Sequence, residues 1–190
     1  MAHTLSSAAV GHDSLVKKAL LAVGGTVLIA VAAKVSVPMF PVPMTLQTLA
    51  ILVVGLSFGA RLGFATLALY LAEGAVGLPV FTPTTAPGLA AFAGPTAGFL
   101  VGFALMAALV GYASDRGWTR SFLGAAVAAL VAGVVLYIPG LAWPAVAMGK
   151  SIPDLMSGWA LPFLAGDAVK AVLAALIVTG GWAVLSARKG

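Results

Sequence analysis

Asp167 and Lys170 are an acid and a base that stand three residues apart in an otherwise apolar segment. In a helix, at about 100° per residue, their side chains lie about 60° apart on one face. Ionisable groups inside an apolar span are costly, so they tend to pair, face the protein interior and mark a ligand or ion path. Two interpretations follow: the side chains form a structural ion pair, or they hold one polar ligand between them.

The composition indicates that this pair lies in an integral membrane protein. The chain has 190 residues, of which 62% are hydrophobic and only 8% charged, whereas soluble domains carry about 25% charged residues. Its ten basic residues lie between apolar runs, a pattern that does not indicate nucleic-acid binding. There is no cysteine, and the two histidines, His3 and His12, lie near the N-terminus. We therefore expect no cysteine nucleophile and no metal site built from His or Cys, and we expect no cofactor.

Six apolar runs predict an all-α fold: a single domain of six transmembrane helices over residues 15–187, after a loose polar tail over residues 1–14. The predicted helices cover about 15–35, 44–58, 62–78, 95–113, 121–138 and 161–186. Pro38, Pro41 and Pro43 exclude a regular helix between the first two, and we expect a lid over a cavity or a stiff connector there. Pro139 is expected to end the fifth helix and begin a third long loop.

The basic residues predict how the helices are oriented. If the N-terminus lies inside, seven basic residues lie on the inner side and two on the outer side, a bias that predicts cytoplasmic termini. The inner residues are Lys17, Lys18, Arg61, Arg116, Arg120, Arg188 and Lys189, and the outer ones are Lys34 and Lys150. The inner turns are short and the outer loops long, so we expect function on the outer side.

Four polar side chains are predicted to converge in the outer half of the membrane. From the helical rise, Asp167 lies about 9 Å, Glu73 about 7 Å and Gln47 about 5 Å below the outer ends of their helices. Lys170 lies one turn deeper than Asp167. This depth predicts a pocket that opens to the outside.

The chain offers no energy source of its own. Gly149-Lys150-Ser151 resembles the end of a phosphate-binding loop, but Pro144 stands where the required glycine should be, and we reject the motif. A secondary carrier would be expected to show repeated broken helices at mid-membrane, and no such repeat is present in the sequence.

Four motifs together resemble the BioY family, and the resemblance runs from about residue 17 to residue 185. The motifs are Pro38-x-x-Pro-x-Pro-Met-Thr-Leu-Gln47-Thr-Leu, Gly77-Leu-Pro-Val-Phe81, Gly94-Pro-Thr-Ala-Gly98-Phe and Gly166-Asp-x-x-Lys170. The resemblance implies a biotin-binding S component of an energy-coupling factor (ECF) transporter in the bacterial cell membrane, with six transmembrane helices. It also implies two kinds of partner, namely a transmembrane coupling protein and a pair of cytoplasmic ATPases that use ATP.

The resemblance also implies a site near the outer surface. Biotin has two ureido N–H donors, a carbonyl acceptor, an apolar ring that contains sulfur, and a carboxylate tail. Asp167 could accept from the N–H groups, while Lys170 or Gln47 could donate to the carbonyl. Glu73 is a further candidate that could instead pair with Lys170 or Lys34. The expected apolar walls are Phe40, Met44, Tyr70, Phe81 and Phe92, each of which could also be simple packing.

A small-residue stripe on the first helix is a separate candidate. S components often carry Ala-x-x-x-Ala there, and this chain has Ala22-x-x-x-Thr26-x-x-x-Ala30. Such spacing allows close helix contact, so these residues are expected at the interface with the coupling protein. The same spacing also arises by chance in an alanine-rich chain.

Three functions remain open from the sequence. The favoured one is a biotin-binding S component. A secondary vitamin carrier that works alone is the alternative, and a strict requirement for the ATPases would exclude it. The third is an intramembrane enzyme that uses Asp167 and Glu73 as an acid–base pair, and recovery of an unchanged ligand would exclude it. We expect a transporter rather than an enzyme.

Overall fold

The computed structural model describes residues 4–10, 14–40 and 42–188, so His3, His12, Pro41 and Lys189 lie outside the description. Two short strands, β1 (Ser36–Val37) and β2 (Met44–Thr45), pair in antiparallel fashion and form a hairpin. The other regular secondary structure of the described residues is helical. The α-helices of the described residues are α1 (Leu5–Val10), α2 (Leu15–Lys34), α3 (Gln47–Phe58), α4 (Ala60–Ala75), α5 (Ala97–Asp115), α6 (Phe122–Met148), α7 (Ile152–Leu155) and α8 (Leu161–Ala187).

Four helical segments of the described chain are long and apolar enough to cross a membrane. They are α2, α5, α6 and the continuous run Ile152–Ala187, which joins α7, a π-helical turn and α8. Helices α3 and α4 have 12 and 16 residues, fewer than the ~20 that a span requires. The prediction of a helical, multi-pass membrane protein is confirmed. That α3 and α4 also cross the bilayer stays a prediction.

Helix α5 lies at the centre of the bundle and packs against α3, α4 and α6. Glycines allow the backbones to approach closely. A Cβ atom on Gly111 would overlap the backbone of Gly59 and Ala60 at the start of α4, and one on Gly98 would overlap the carbonyl of Pro139 in α6. These contacts fix the helices relative to one another, and with them the side chains that they carry.

Helix α6 does not end at Pro139, as the sequence predicted, but continues to Met148. Proline is tolerated within a membrane helix when neighbouring groups satisfy the backbone positions that it frees. Here α5 lies directly against Pro139, and the indole N–H of Trp143 donates to the carbonyl of Gly94 at 2.9 Å. The helix ends at Gly149, whose φ of +63° is left-handed. The predicted third loop is largely helical, because α7 and the π-helical turn follow.

The N-terminal segment is not a loose tail in its described part. Helix α1 packs against α3 and α8. The hydroxyl of Thr4 accepts a hydrogen bond from the backbone N–H of Ser7 at 3.3 Å, and the hydroxyl of Ser7 donates to the carbonyl of Thr4 at 2.8 Å. Local bonds of this kind satisfy the free donors at the start of a helix. Residues 4–10 therefore belong to the helical domain.

The connections separate into two ends of the bundle. At one end, the backbone N–H of Ala60 donates to the carboxylate of Asp115 at 3.1 Å, and the indole of Trp182 donates to the hydroxyl of Thr119 at 3.3 Å. At the opposite end, the ammonium of Lys34 donates to a carbonyl in the connection after α4 at 2.6 Å. The first end, which we call the basic end, carries Arg61, Arg116, Arg120 and Arg188.

The orientation of these ends can be tested by cysteine labelling. The chain has no cysteine, and Thr84 and Ser186 are exposed at the two opposite ends. If the basic end is cytoplasmic, an impermeant maleimide added to intact cells should label Thr84→Cys but not Ser186→Cys. Both variants should react after lysis. Labelling of Ser186→Cys in sealed cells would contradict the orientation.

Candidate substrate-binding cavity

A cavity lies at the end of the bundle opposite the basic end, where β2 and the first turns of α3, α5 and α8 meet the middle of α6. It contains about 720 Å³ of empty space, a volume that includes its open mouth. A mainly apolar wall with a few polar groups is typical of small-molecule sites. The lining residues are Val42, Pro43, Met44, Thr45, Gln47, Thr48, Thr82, Thr85, Thr96, Phe99, Leu100, Phe103, Leu136, Tyr137, Trp159, Phe163, Asp167 and Lys170.

Asp167 and Lys170 form an ion pair in the wall of this cavity. The ammonium nitrogen Nζ of Lys170 lies 3.0 Å from Oδ1 of Asp167, and the two side chains are 8% and 24% exposed. The pair arises because α8 places residues three apart on one face. Its partial exposure leaves both groups within reach of a molecule in the cavity.

Tyr137 is a third member of this polar cluster, and the sequence analysis missed it. Its hydroxyl donates to Oδ2 of Asp167 at 2.5 Å. The sequence signal was available but weak: Tyr137 is a tyrosine within the apolar run of α6, and a buried tyrosine hydroxyl usually finds a polar partner. With Lys170 on one carboxylate oxygen and Tyr137 on the other, the orientation of the Asp167 carboxylate is fixed.

Gln47 lies across the cavity at the first turn of α3 and is only 3% exposed. Its Nε2 donates to the hydroxyl of Tyr70 at 2.8 Å, and that hydroxyl donates to the carbonyl of Val80 at 2.8 Å. Because the tyrosine proton is directed to Val80, the tyrosine oxygen must accept from the amide nitrogen of Gln47. The amide is thereby held in one orientation at the cavity wall.

Thr48 is a second polar group of α3 that the sequence analysis missed. Its hydroxyl is the one buried side-chain N or O atom of the described residues that has no hydrogen-bond partner. Leaving a buried polar group unpaired costs about 1–3 kcal/mol. Since Thr48 lines the cavity, a polar atom of a bound molecule could supply the missing partner.

The apolar part of the wall contains one predicted residue and several that were not predicted. Met44 lies against Gly166 of α8. A Cβ atom on Gly166 would come 2.5 Å from the sulfur of Met44. The rings of Phe99 and Tyr137 pack edge to face with centroids 6.0 Å apart. The π-helical turn before α8 carries Trp159, which is 5% exposed and lines the cavity. Trp159 could have been noticed from its position in a proline- and glycine-rich segment.

Three predicted wall residues lie behind the cavity wall rather than in it. Tyr70, Phe81 and Phe92 form an edge-to-face series, with centroid distances of 5.4 Å and 6.0 Å. Only Tyr70 touches a cavity residue by a hydrogen bond, through Gln47. This aromatic series therefore supports α3 and does not line the space.

Two other predicted site residues lie away from the cavity. Phe40 is 93% exposed in the loop between β1 and β2. Glu73 faces α2, where its carboxylate accepts from the hydroxyl of Thr26 at 3.0 Å. Of the four polar side chains that were predicted to converge, Asp167, Lys170 and Gln47 line the cavity and Glu73 does not. Among the described residues, no three His, Cys, Asp or Glu side chains are grouped as metal ligands would be.

The small-residue stripe of α2 faces the bundle. Ala22 is 8% and Thr26 2% exposed, and Ala30 is partly buried. Helix α2 packs against α3 and α4, and Thr26 bonds to Glu73 of α4. The stripe thus makes contacts within the chain, and its role at the interface with the coupling protein stays a prediction.

Comparison with known proteins identifies the family of this chain. The sequence profile of the BioY family matches residues 2–187. The chain belongs to the BioY family. A biotin transporter BioY of Rhizobium etli is 38% identical over 164 residues, which cover 81% of this chain and 87% of that protein. A probable biotin transporter BioY of Pyrococcus horikoshii is 34% identical over 150 residues, which cover 79% of this chain and 86% of that protein.

A solved structure is also similar to the chain. The crystal structure of the S-component for biotin from an ECF-type ABC transporter matches with a TM-score of 0.77 and 27% identity, and the match covers 92% of both chains. The family and the similar proteins are transporters, so the expectation that this chain is not an enzyme is confirmed.

The bond series Gln47–Tyr70–Val80 predicts a stability effect. Tyr70→Phe should lower the free energy of unfolding by about 1–3 kcal/mol, because it leaves the amide of Gln47 and the carbonyl of Val80 without their partner. The measurement is thermal unfolding of the purified protein in detergent. Tyr112→Phe is the matched control, since Tyr112 is 49% exposed and should be nearly neutral. Equal stability of both variants would contradict the prediction.

Proposed function

We propose that this chain captures biotin from the outer side in the cavity around Asp167 and mediates biotin uptake as the S component of an ECF transporter. The observation that carries the proposal is the carboxylate of Asp167, held by Lys170 and Tyr137 in a wall that is mainly apolar and aromatic. Membership of the BioY family supports the choice of biotin over other small molecules.

The chemistry of the wall matches that of biotin group by group. The carboxylate of Asp167 accepts from the ureido N–H groups, and such charge-assisted bonds are stronger than neutral ones. The ammonium of Lys170 or the amide of Gln47 donates to the ureido carbonyl. The hydroxyl of Thr48 gains a partner. Apolar and aromatic side chains such as Trp159 cover the ring that contains sulfur, which removes apolar surface from water.

We also infer the membrane setting of the cavity. The chain lies in the bacterial cell membrane with six spans and both termini in the cytoplasm, so that the cavity opens outward. A transmembrane coupling protein and a pair of cytoplasmic ATPases supply the energy. A secondary carrier that works alone is the alternative. Biotin uptake by membrane vesicles that contain this chain with inactive ATPase subunits distinguishes the two functions. An S component should show no uptake, because it requires ATP hydrolysis, whereas a carrier that works alone should still take up biotin.

Replacement of Asp167 by Asn tests the binding role. The substitution keeps the shape but turns one acceptor oxygen into a donor, which faces a ureido N–H in a sheltered site. An unpaired group of this kind costs about 1–3 kcal/mol, so biotin affinity should fall about tenfold to a hundredfold. Isothermal titration of the purified, folded variant measures this loss.

Asp154→Asn is the control, because Asp154 is exposed in α7 and lies outside the cavity lining. It should bind biotin like the wild type. A purely structural role of the ion pair predicts a different pattern, in which Asp167→Asn lowers the unfolding temperature and leaves affinity unchanged. Wild-type affinity in folded Asp167→Asn would contradict the proposal.

The hairpin of β1 and β2 is proposed to close over bound biotin. Met44 and Thr45 of β2 line the cavity, whereas Phe40 is exposed in the connecting loop. If the loop folds inward when biotin is bound, Phe40→Ala should speed biotin release more than it slows association, since interface changes act mainly on dissociation. Stopped-flow fluorescence measures both rates.

Leu89→Ala is the matched control for the hairpin, because Leu89 is also an exposed apolar residue, at 74%, on a different connection. It should leave both rates unchanged. If Phe40→Ala also leaves the release rate unchanged, the hairpin is a connector and not a lid.

A further inference from the structure

A second space lies at the basic end, between the first turns of α2 and α4. It contains about 1110 Å³ of empty space, including its opening, and shares no lining residue with the substrate cavity. We call it the basic groove. Its lining includes Leu15, Lys18, Ala19, Arg61, Leu62 and Ala65.

The basic groove carries a net positive charge. Lys18 and Arg61 are both exposed, and neither forms an ion pair within the part of the chain that the structure describes. Asp115 is the acidic residue in the lining. Its carboxylate already accepts from the backbone N–H of Ala60 at 3.1 Å. Two cations facing one engaged carboxylate favour a ligand with an anionic group.

The walls between these cations are apolar. Leu15 is 83% exposed and Leu62 is partly buried, and Ala19 and Ala65 are exposed on the facing helices. Such surface lies against hydrocarbon in a membrane protein, and it would be unfavourable in contact with water. A ligand that fits both features has an anionic head and an apolar chain, and a small free anion would leave the apolar walls uncovered.

We propose that the basic groove binds one anionic phospholipid, whose phosphate lies between Lys18 and Arg61 and whose acyl chains lie along Leu15 and Leu62. Clusters of basic residues at the cytoplasmic face of membrane proteins recognise such headgroups. With the basic end in the cytoplasm, the lipid belongs to the inner leaflet. Binding at this groove does not depend on which substrate occupies the cavity at the other end.

Lipid binding by the purified full-length protein tests this proposal. In a neutral detergent, dioleoyl phosphatidylglycerol should raise the unfolding temperature, because a ligand that binds the folded state stabilises it. It should also remain bound in native mass spectrometry. Dioleoyl phosphatidylcholine should do neither. Lys18→Gln and Arg61→Gln should each weaken phosphatidylglycerol binding about fivefold. Ala65→Phe keeps the charges, fills the groove and should also weaken binding.

The double variant Arg116→Gln/Arg188→Gln is the matched control for Lys18→Gln/Arg61→Gln. It removes the same charge from the basic end but lies outside the groove, so it should bind phosphatidylglycerol like the wild type. An equal loss in both double variants would overturn the proposal in favour of general attraction to a basic surface. Equal binding of the two lipids, or full displacement of phosphatidylglycerol by inorganic phosphate alone, would also overturn it.

The remaining alternative is that a protein, and not a lipid, occupies the basic groove. If phosphatidylglycerol does not bind, and the coupling protein protects Ala65→Cys from maleimide, the groove is a contact for a partner and the proposal is wrong. None of these measurements uses biotin, so a failure here leaves the proposed function of the cavity untouched.

Discussion

An ionised carboxylate in an apolar helix is stable only when hydrogen-bond donors surround it, and this requirement on Asp167 governs the structure around the cavity. Lys170 on α8 supplies one donor at 3.0 Å, and Tyr137 on α6 supplies another at 2.5 Å. The first partner is local and needs only a helix. The second is distant in sequence and requires α6 and α8 to pack in one register.

The course of α6 makes the second of these bonds possible. Tyr137 reaches Asp167 from the middle of a helix that continues through Pro139. Glycines on α5 allow this, since a Cβ atom on Gly102 would come 2.8 Å from the side chain of Leu136 and 2.9 Å from that of Pro139. A loop at Pro139 would lose this support. A proline usually ends a helix in a soluble protein. Here Pro139 lies within α6, and its contact with α5 supports the helix that carries Tyr137.

Much of the candidate site could be predicted from the chemistry of the sequence, because Asp167 and Lys170 are rare charges in an apolar chain. Their partner Tyr137 gave only a weak signal, since its role depends on how two distant helices pack. The position of Glu73 along its helix predicted its depth in the membrane but not the direction in which its side chain points. The side chain of Glu73 lies against α2. Likewise, an apolar loop predicted a cover for the cavity but could not predict that Phe40 would be exposed.

Native mass spectrometry of the purified chain after incubation with biotin tests the central claim most directly. We expect one biotin of unchanged mass bound to each chain and retained when the detergent is removed. If the bound biotin carries an isotope label, excess unlabelled biotin should displace it. Folded protein that retains no biotin, or that returns a chemically altered molecule, would contradict a binding cavity built around Asp167.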